Sequence, residues 1–201
     1  MILVIDYGMG NLRSVEKALT HIGAAAQVSS DPALIPQAER IILPGVGAFD
    51  HAVIELKKRK LFDPLVAAIR GGKPYFGICL GLQLLFESSS EGTEKGFGIL
   101  KGRVERFPDD LKVPHMGWNA VDFTHADCPY WKGIPAQSYF YFVHSYYAAP
   151  AEPAVVEGKT QYGRTFASAV WKDRVFATQF HPEKSQDLGL ELLKNVVGAA
   201  R

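Results

Sequence analysis

Two residues of this sequence have the surroundings that a nucleophile and its base require: Cys79 and His181. Cys79 lies in Gly77-Ile78-Cys79-Leu80-Gly81, at the end of the apolar run Tyr75 to Ile78 and directly before a run of good helix formers. Gly-x-Cys-x-Gly between a strand and a helix is the pattern of a nucleophile elbow with Cys in the place of Ser. Such a nucleophile occupies a turn with unfavourable dihedrals, and only small neighbours let strand and helix close over it. The turn points the sulfur away from the sheet, and a helix N-terminus beside it favours the thiolate. Taken alone, the same five residues also fit a buried structural cysteine.

A thiol nucleophile needs a base to take its proton and pass it to the leaving group, and the base needs an orienting carboxylate. Among the histidines, His181 in Gln179-Phe180-His181-Pro182-Glu183 has that context. An apolar strand runs into it, and Pro182 blocks both helix and continued pairing. Glu183, two residues on, falls on the same side of an extended segment and reaches the ring. His21, His51 and His125 carry no such signal and are expected to be structural. Acyl transfer also needs an oxyanion hole. The backbone N–H of Leu80 is one donor, and Gly45-Val46-Gly47 offers a second, its glycines letting amides face a ligand or turn away. A plain Gly/Pro turn is the alternative there.

The elements that must position these groups follow from the pattern. Ile2 to Ile5 reads as a buried strand, Leu12, Val15, Leu19 and Ile22 as a helix face, Ala25 to Val28 and Arg40 to Leu43 as further strands, and Asp63-Pro64 as the start of a helix to Ile69. This alternation predicts a parallel sheet with helices on both faces, whose working loops lie beyond the carboxyl ends of the strands. Gly8–Asn11, Pro44–Phe49 and the Cys79 elbow then share one edge. From Gly96 the rhythm changes to short strands (Ile99–Phe107, Asn119–Phe123, Ser138–Tyr146, Thr165–Trp171, Val175–Gln179), which predict antiparallel additions to the same sheet, and Leu188 to Val197 closes as an amphipathic helix. The polar stretch Ser88 to Gly96 reads as a mobile surface loop. No linker divides the chain, so residues 1–201 are expected to form one domain.

Composition excludes several classes. A net charge of +1 argues against a nucleic-acid surface, and the aromatic run Tyr139–Tyr147 lacks a basic stripe. Two cysteines, Cys79 and Cys128, make no disulfide framework, so a reduced, cytoplasmic setting is expected. No metal-ligand spacing is present, and no metal or cofactor is expected. The N-terminal apolar run meets Asp6 too soon for a signal peptide or a membrane span. Gly8-x-Gly10 lacks the third glycine of a dinucleotide fingerprint, Arg13 standing there instead.

Gly77-Ile78-Cys79-Leu80-Gly81-x-Gln83 together with His181-Pro182-Glu183 resembles the class I (triad-type) glutamine amidotransferase family. Asp6-Tyr7-Gly8-Met9-Gly10-Asn11, Pro44 to Phe49, Val113 to Asn119, Tyr141 to Tyr146 and Gln179 to Ser185 extend the likeness over essentially the whole chain, toward the glutaminase branch that serves histidine biosynthesis. The resemblance implies a single flavodoxin-like α/β domain and glutamine as substrate. It implies attack by Cys79 on the side-chain amide, proton transfer by His181 and orientation by Glu183. Gly45, Val46 and Gly47 would form the oxyanion strand, and Gln83, Ser145 and Tyr146 would hold glutamine. Asn11, Trp118 and Lys184 would face a partner cyclase, a (β/α)8 barrel forming a heterodimer with this chain. Ammonia would pass to that cyclase, which makes imidazole glycerol phosphate and aminoimidazole carboxamide ribotide. Two rival readings remain at this point: a glutaminase serving another synthase, and a flavodoxin-like binding protein with a structural Cys79.

Overall fold

The computed structural model describes residues 1–125 and 127–199. In chain order the elements are β1 (Ile2–Ile5), α1 (Leu12–His21), β2 (Ala26–Ser29), β3 (Arg40–Gly45), α2 (Phe49–Lys58), α3 (Phe62–Arg70), β4 (Tyr75–Cys79) and α4 (Leu80–Gln83). There follow β5 (Ser88–Ser89), β6 (Gly102–Arg106), β7 (His115–Phe123), β8 (Ser138–His144), β9 (Tyr146–Pro150), β10 (Val156–Tyr162), β11 (Arg164–Lys172), β12 (Val175–Thr178) and α5 (Gln186–Gly198).

One sheet runs β2-β1-β3-β4-β12-β11-β10-β7-β8. It is parallel from β2 to β12 and antiparallel beyond. The uniformly apolar runs lie where such runs must, with β3, β4 and β12 buried on both faces. Side chains alternate between two core layers. Leu3, Ile41, Leu43 and Tyr75 meet α2 and α3 on one side, while Val4, Ile42, Phe76 and Ile78 meet α1 and α5 on the other. The antiparallel half therefore shares a core with the parallel half, as the sequence pattern predicts.

The return of β12 positions the site. After the antiparallel excursion the chain re-enters beside β4, with Phe176 opposite Phe76 and Thr178 opposite Ile78. Residues 179–181 then emerge at the carboxyl edge next to the elbow.

Several elements differ from expectation. The strand β10, interrupted by Gly158, and the helix α2, whose buried Phe49, Ala52, Val53 and Leu56 recur at helical spacing, are additions to the elements expected from the sequence. The segment Ser138–Tyr146 breaks at Ser145 into two strands. The helix after Cys79 is a single turn. The carbonyls of Leu84, Leu85 and Phe86 are taken by amides of residues 97–100, so the helix cannot propagate. The dipole that a long helix would contribute at Cys79 is correspondingly reduced. The stretch 88–96 is pinned rather than loose: Ser88–Ser89 pair with β6, Asp50 accepts from the Thr93 and Glu94 amides, and Glu91 accepts from the Phe49 amide at 2.7 Å. No helix among the described residues is long and apolar enough to cross a membrane.

Candidate active site

The β4–α4 junction holds Cys79 at φ 54° and ψ −102°, a conformation that L-residues avoid. The glycines on either side are sterically obligatory. A Cβ on Gly77 would stand 2.5 Å from the Gly81 carbonyl oxygen, and one on Gly81 would stand 1.9 Å from the Leu43 carbonyl oxygen. Close approach extends to β3, where a Cβ on Gly45 would lie 2.9 Å from the Leu80 Cβ and 2.2 Å from the Tyr7 hydroxyl. The three loops expected at one edge do meet, since Gly10 abuts the Pro44 carbonyl and Gly47 abuts Met9.

His181 follows β12 and is buried, with Nδ1 2.8 Å from Glu183 Oε1. Glu183 lies in a 3₁₀ turn, Pro182–Lys184, and not in the extended segment that the sequence suggested. The turn still folds the carboxylate back onto the ring, and Ser185 Oγ donates to the His181 carbonyl at 2.6 Å to fix it. Burial alone pulls the imidazole pKa down. The charge of the Cys79 sulfur and then the Glu183 carboxylate outweigh burial and raise it to about 10. His181 Nε2 has no hydrogen-bond partner among the described residues and lies free beside the sulfur. Cys79, His181 and Glu183 thus come together across a separation of a hundred residues.

A cavity of about 340 Å³ opens on the sulfur, lined by Val46, Gly47, Cys79, Leu80, Gln83 and Glu91 on one side and by Pro114 and Val143 to Tyr146 on the other. Gln83, Ser145 and Tyr146 all reach it, as do Val46, Gly47 and Leu80 of the expected oxyanion region. Gln83 Nε2 donates to the Tyr146 carbonyl at 3.0 Å and to Gln179 Oε1 at 3.1 Å. Its own Oε1 remains as an acceptor for whatever enters.

Sequence reasoning missed Glu91, Gln179 and His144. Glu91 adds a carboxylate to the cavity wall from a stretch with no periodic signal. His144 Nδ1 lies 2.8 Å from the Tyr146 carbonyl, and its Nε2 lies 2.9 Å from His115 Nδ1. The carbonyl accepts only, so His144 donates to it from Nδ1 and accepts at Nε2 from His115 Nδ1, whose own Nε2 accepts from the Asn119 side-chain amide; both rings are neutral. Burial, the dominant cause, pushes His115 down to about 4 and His144 to about 3. His125 is indeed structural, bound to the buried Glu157.

Trp118 and Lys184 are exposed and share one neighbour. The Trp118 ring meets Tyr141 edge-on at 6.1 Å, and the Lys184 ammonium lies 5.8 Å from the Tyr141 ring centre. Asn11 caps α1 without a side-chain bond, and α1 packs against the 182–184 turn. The outward face of β7 and β8 carries Met116, Trp118 and Tyr139, each exposed by 46% or more.

The family model for glutamine amidotransferase class-I matches residues 3–199. The imidazole glycerol phosphate synthase subunit HisH of Syntrophotalea carbinolica is 50% identical over 203 residues, covering 97% of this chain and 98% of that protein. The subunit of the same name from Synechococcus elongatus is 51% identical over 199 residues, covering 98% and 92%. Among solved structures, a glutamine amidotransferase aligns with a TM-score of 0.77 at 19% identity, covering 99% of this chain and all of that one. PurLQS from Thermotoga maritima aligns with a TM-score of 0.76 at 19% identity, covering 98% and 96%. At that identity these two structures speak for the fold.

Proposed function

This chain belongs to the class I glutamine amidotransferase family, and from that premise we propose that it hydrolyses glutamine through Cys79, His181 and Glu183 and hands the ammonia to a cyclase subunit. The observation that carries the reading is the Cys79 elbow, set beside the His181–Glu183 pair and opening on a cavity of amino-acid size. In this reading glutamine enters with its side-chain amide toward the sulfur. Cys79 attacks the amide carbon, and the oxyanion is received by the Leu80 amide and by the Gly45-Val46-Gly47 strand. His181 takes the thiol proton and gives it to the departing ammonia, leaving a γ-glutamyl thioester. Water then adds with His181 as base and releases glutamate. Glu183 keeps Nδ1 protonated and stabilises the imidazolium.

The lining fits the substrate. Gln83 Oε1 and the Glu91 carboxylate are acceptors suited to an α-ammonium, and the region of Ser145 and Tyr146 supplies the opposite wall. The Gly45-Val46-Gly47 backbone gives a means of control, since a peptide at a glycine pair can rest with its amide turned from the cavity until a partner is loaded.

The half-identical relatives are synthase subunits, and a subunit of a synthase implies a second chain. The partner proposed is a (β/α)8-barrel cyclase of histidine biosynthesis, giving imidazole glycerol phosphate and aminoimidazole carboxamide ribotide in the cytoplasm. An exposed aromatic face bearing Met116, Trp118 and Tyr139, beside Lys184 and α1 with Asn11, is the kind of surface that an interface covers. The test is glutamate release from glutamine by this chain alone and with the cyclase and its ribotide. Near-silence alone and strong turnover in the complex is expected. Silence in every condition, with the partner bound, would overturn the reading, and full activity alone would keep the three residues but discard the control by the oxyanion strand.

A further inference from the structure

We propose that Gln179 is a further catalytic residue: one end of its side-chain amide donates to the Cys79 sulfur and favours the thiolate, while the other end fixes Gln83 for the substrate. This rests on the glutaminase reading above. Gln179 is fully buried, and its backbone amide donates to the Ser168 carbonyl at 2.8 Å, which holds the residue just beyond β12. Its Nε2 lies 3.5 Å from Cys79 Sγ, and its Oε1 accepts from Gln83 Nε2 at 3.1 Å.

The direction of this chain is fixed by chemistry. The Tyr146 carbonyl can only accept, and it already receives His144 Nδ1–H. Gln83 must therefore present its nitrogen there. That same nitrogen meets Gln179, so Gln179 must answer with oxygen. Only its Nε2 is then left to face the sulfur. A reversed Gln179 would set two donors against each other at one end and a carbonyl dipole against the anionic sulfur at the other.

A donor aimed at sulfur stabilises the anion over the thiol. The one-turn α4 brings little dipole. The titratable groups about the sulfur include His181, from the turn after β12, and Tyr7, from the loop after β1, whose buried hydroxyl has no hydrogen-bond partner; Glu91 and His144 face it across the cavity. His181 must cycle its proton during turnover. Gln179 does not titrate, so it holds the sulfur throughout the cycle.

The experiment is the rate of Cys79 alkylation by iodoacetamide against pH in the full chain. Peptide mass mapping separates it from Cys128, whose thiol burial pushes up to about 12 and which serves as the slow internal reference. Glutamine kcat and KM of the partnered enzyme are measured alongside. Loss of one such hydrogen bond in Gln179→Met is expected to raise the pH midpoint of Cys79 alkylation by about one unit and to lower kcat about tenfold. Gln179→Asn, which keeps polarity but falls short of the sulfur, is expected to show the same shift, and covers the case in which the Met variant does not fold. An unmoved midpoint in either folded variant overturns the proposal. So does a change confined to KM, which would leave Gln179 as a support for Gln83 alone. A parent chain whose Cys79 labels no faster than Cys128 would instead sink the glutaminase reading itself.

Discussion

Replacing Glu183 with Gln removes one charge from the centre of the proposed mechanism while keeping volume and a carbonyl oxygen. In the parent, Oε1 accepts from His181 Nδ1 at 2.8 Å and both side chains are at least 98% buried, so solvent screens the pair little. A hydrogen bond to a charged group contributes about 1.5–3 kcal/mol and a neutral one about 1 kcal/mol. The exchange should therefore cost about 1–2 kcal/mol of imidazolium stabilisation, or about one pKa unit at His181. Glu183 Oε2 is buried without a partner, so the new amide nitrogen gains no bond by occupying that position. Turnover of the partnered enzyme should fall about tenfold or somewhat more. KM should change little, because Glu183 does not line the glutamine-sized cavity. The pH dependence has a definite sign. His181 binds its proton more tightly in the fold, at about 10, than a free imidazole does at about 6.5, so its contribution to stability is complete below the lower value and is lost as pH rises through the upper one. In Glu183→Gln the upper edge should move down by about one unit. The assay is glutamate release coupled to glutamate dehydrogenase across pH, with thermal melting of the same variant. An undiminished rate with an unmoved profile would remove Glu183 from the mechanism.

Other substitutions separate the remaining parts. Cys79→Ala should abolish glutamine-dependent synthesis by the partnered enzyme yet leave synthesis from added ammonium salt intact; loss of both would contradict the division of labour between the chains. Lys184→Ala removes an exposed cation that touches the Tyr141 ring, so melting should shift by no more than about 0.5 kcal/mol equivalent while the coupling of glutamate release to partner loading changes several-fold. Unchanged coupling would return Lys184 to the ordinary surface. Gly81→Ala forces a Cβ to within 1.9 Å of the Leu43 carbonyl, backbone that cannot swing aside, and should cost about 3 kcal/mol or prevent folding. A melting temperature within two degrees or so of the parent would refute that packing account.

The local sequence determined those features whose cause is local. The apolar runs of β1, β3 and β4 could only be interior strands, and the glycines about Cys79 could only serve a turn that no side chain fits. The Cys79 and His181-Pro182-Glu183 motifs were legible for the same reason, each being a short stretch with its own steric or covalent logic. Even there the path from His181 to Glu183 came out as a 3₁₀ turn, since Pro182 opens one as readily as it ends a strand. What the sequence left open was everything set by neighbours distant in the chain. The helix after Cys79 stops at one turn because residues 97–100 capture its carbonyls, and the stretch 88–96 is held by Asp50 and the Phe49 amide. Gln179 is an ordinary strand-end glutamine by pattern. Only the return of β12 beside β4 brings its amide to the sulfur, and only the Tyr146 carbonyl, an obligate acceptor on β9, decides which way that amide points. Hydrogen-bond polarity is a property of the closed network, and no stretch of sequence contains it.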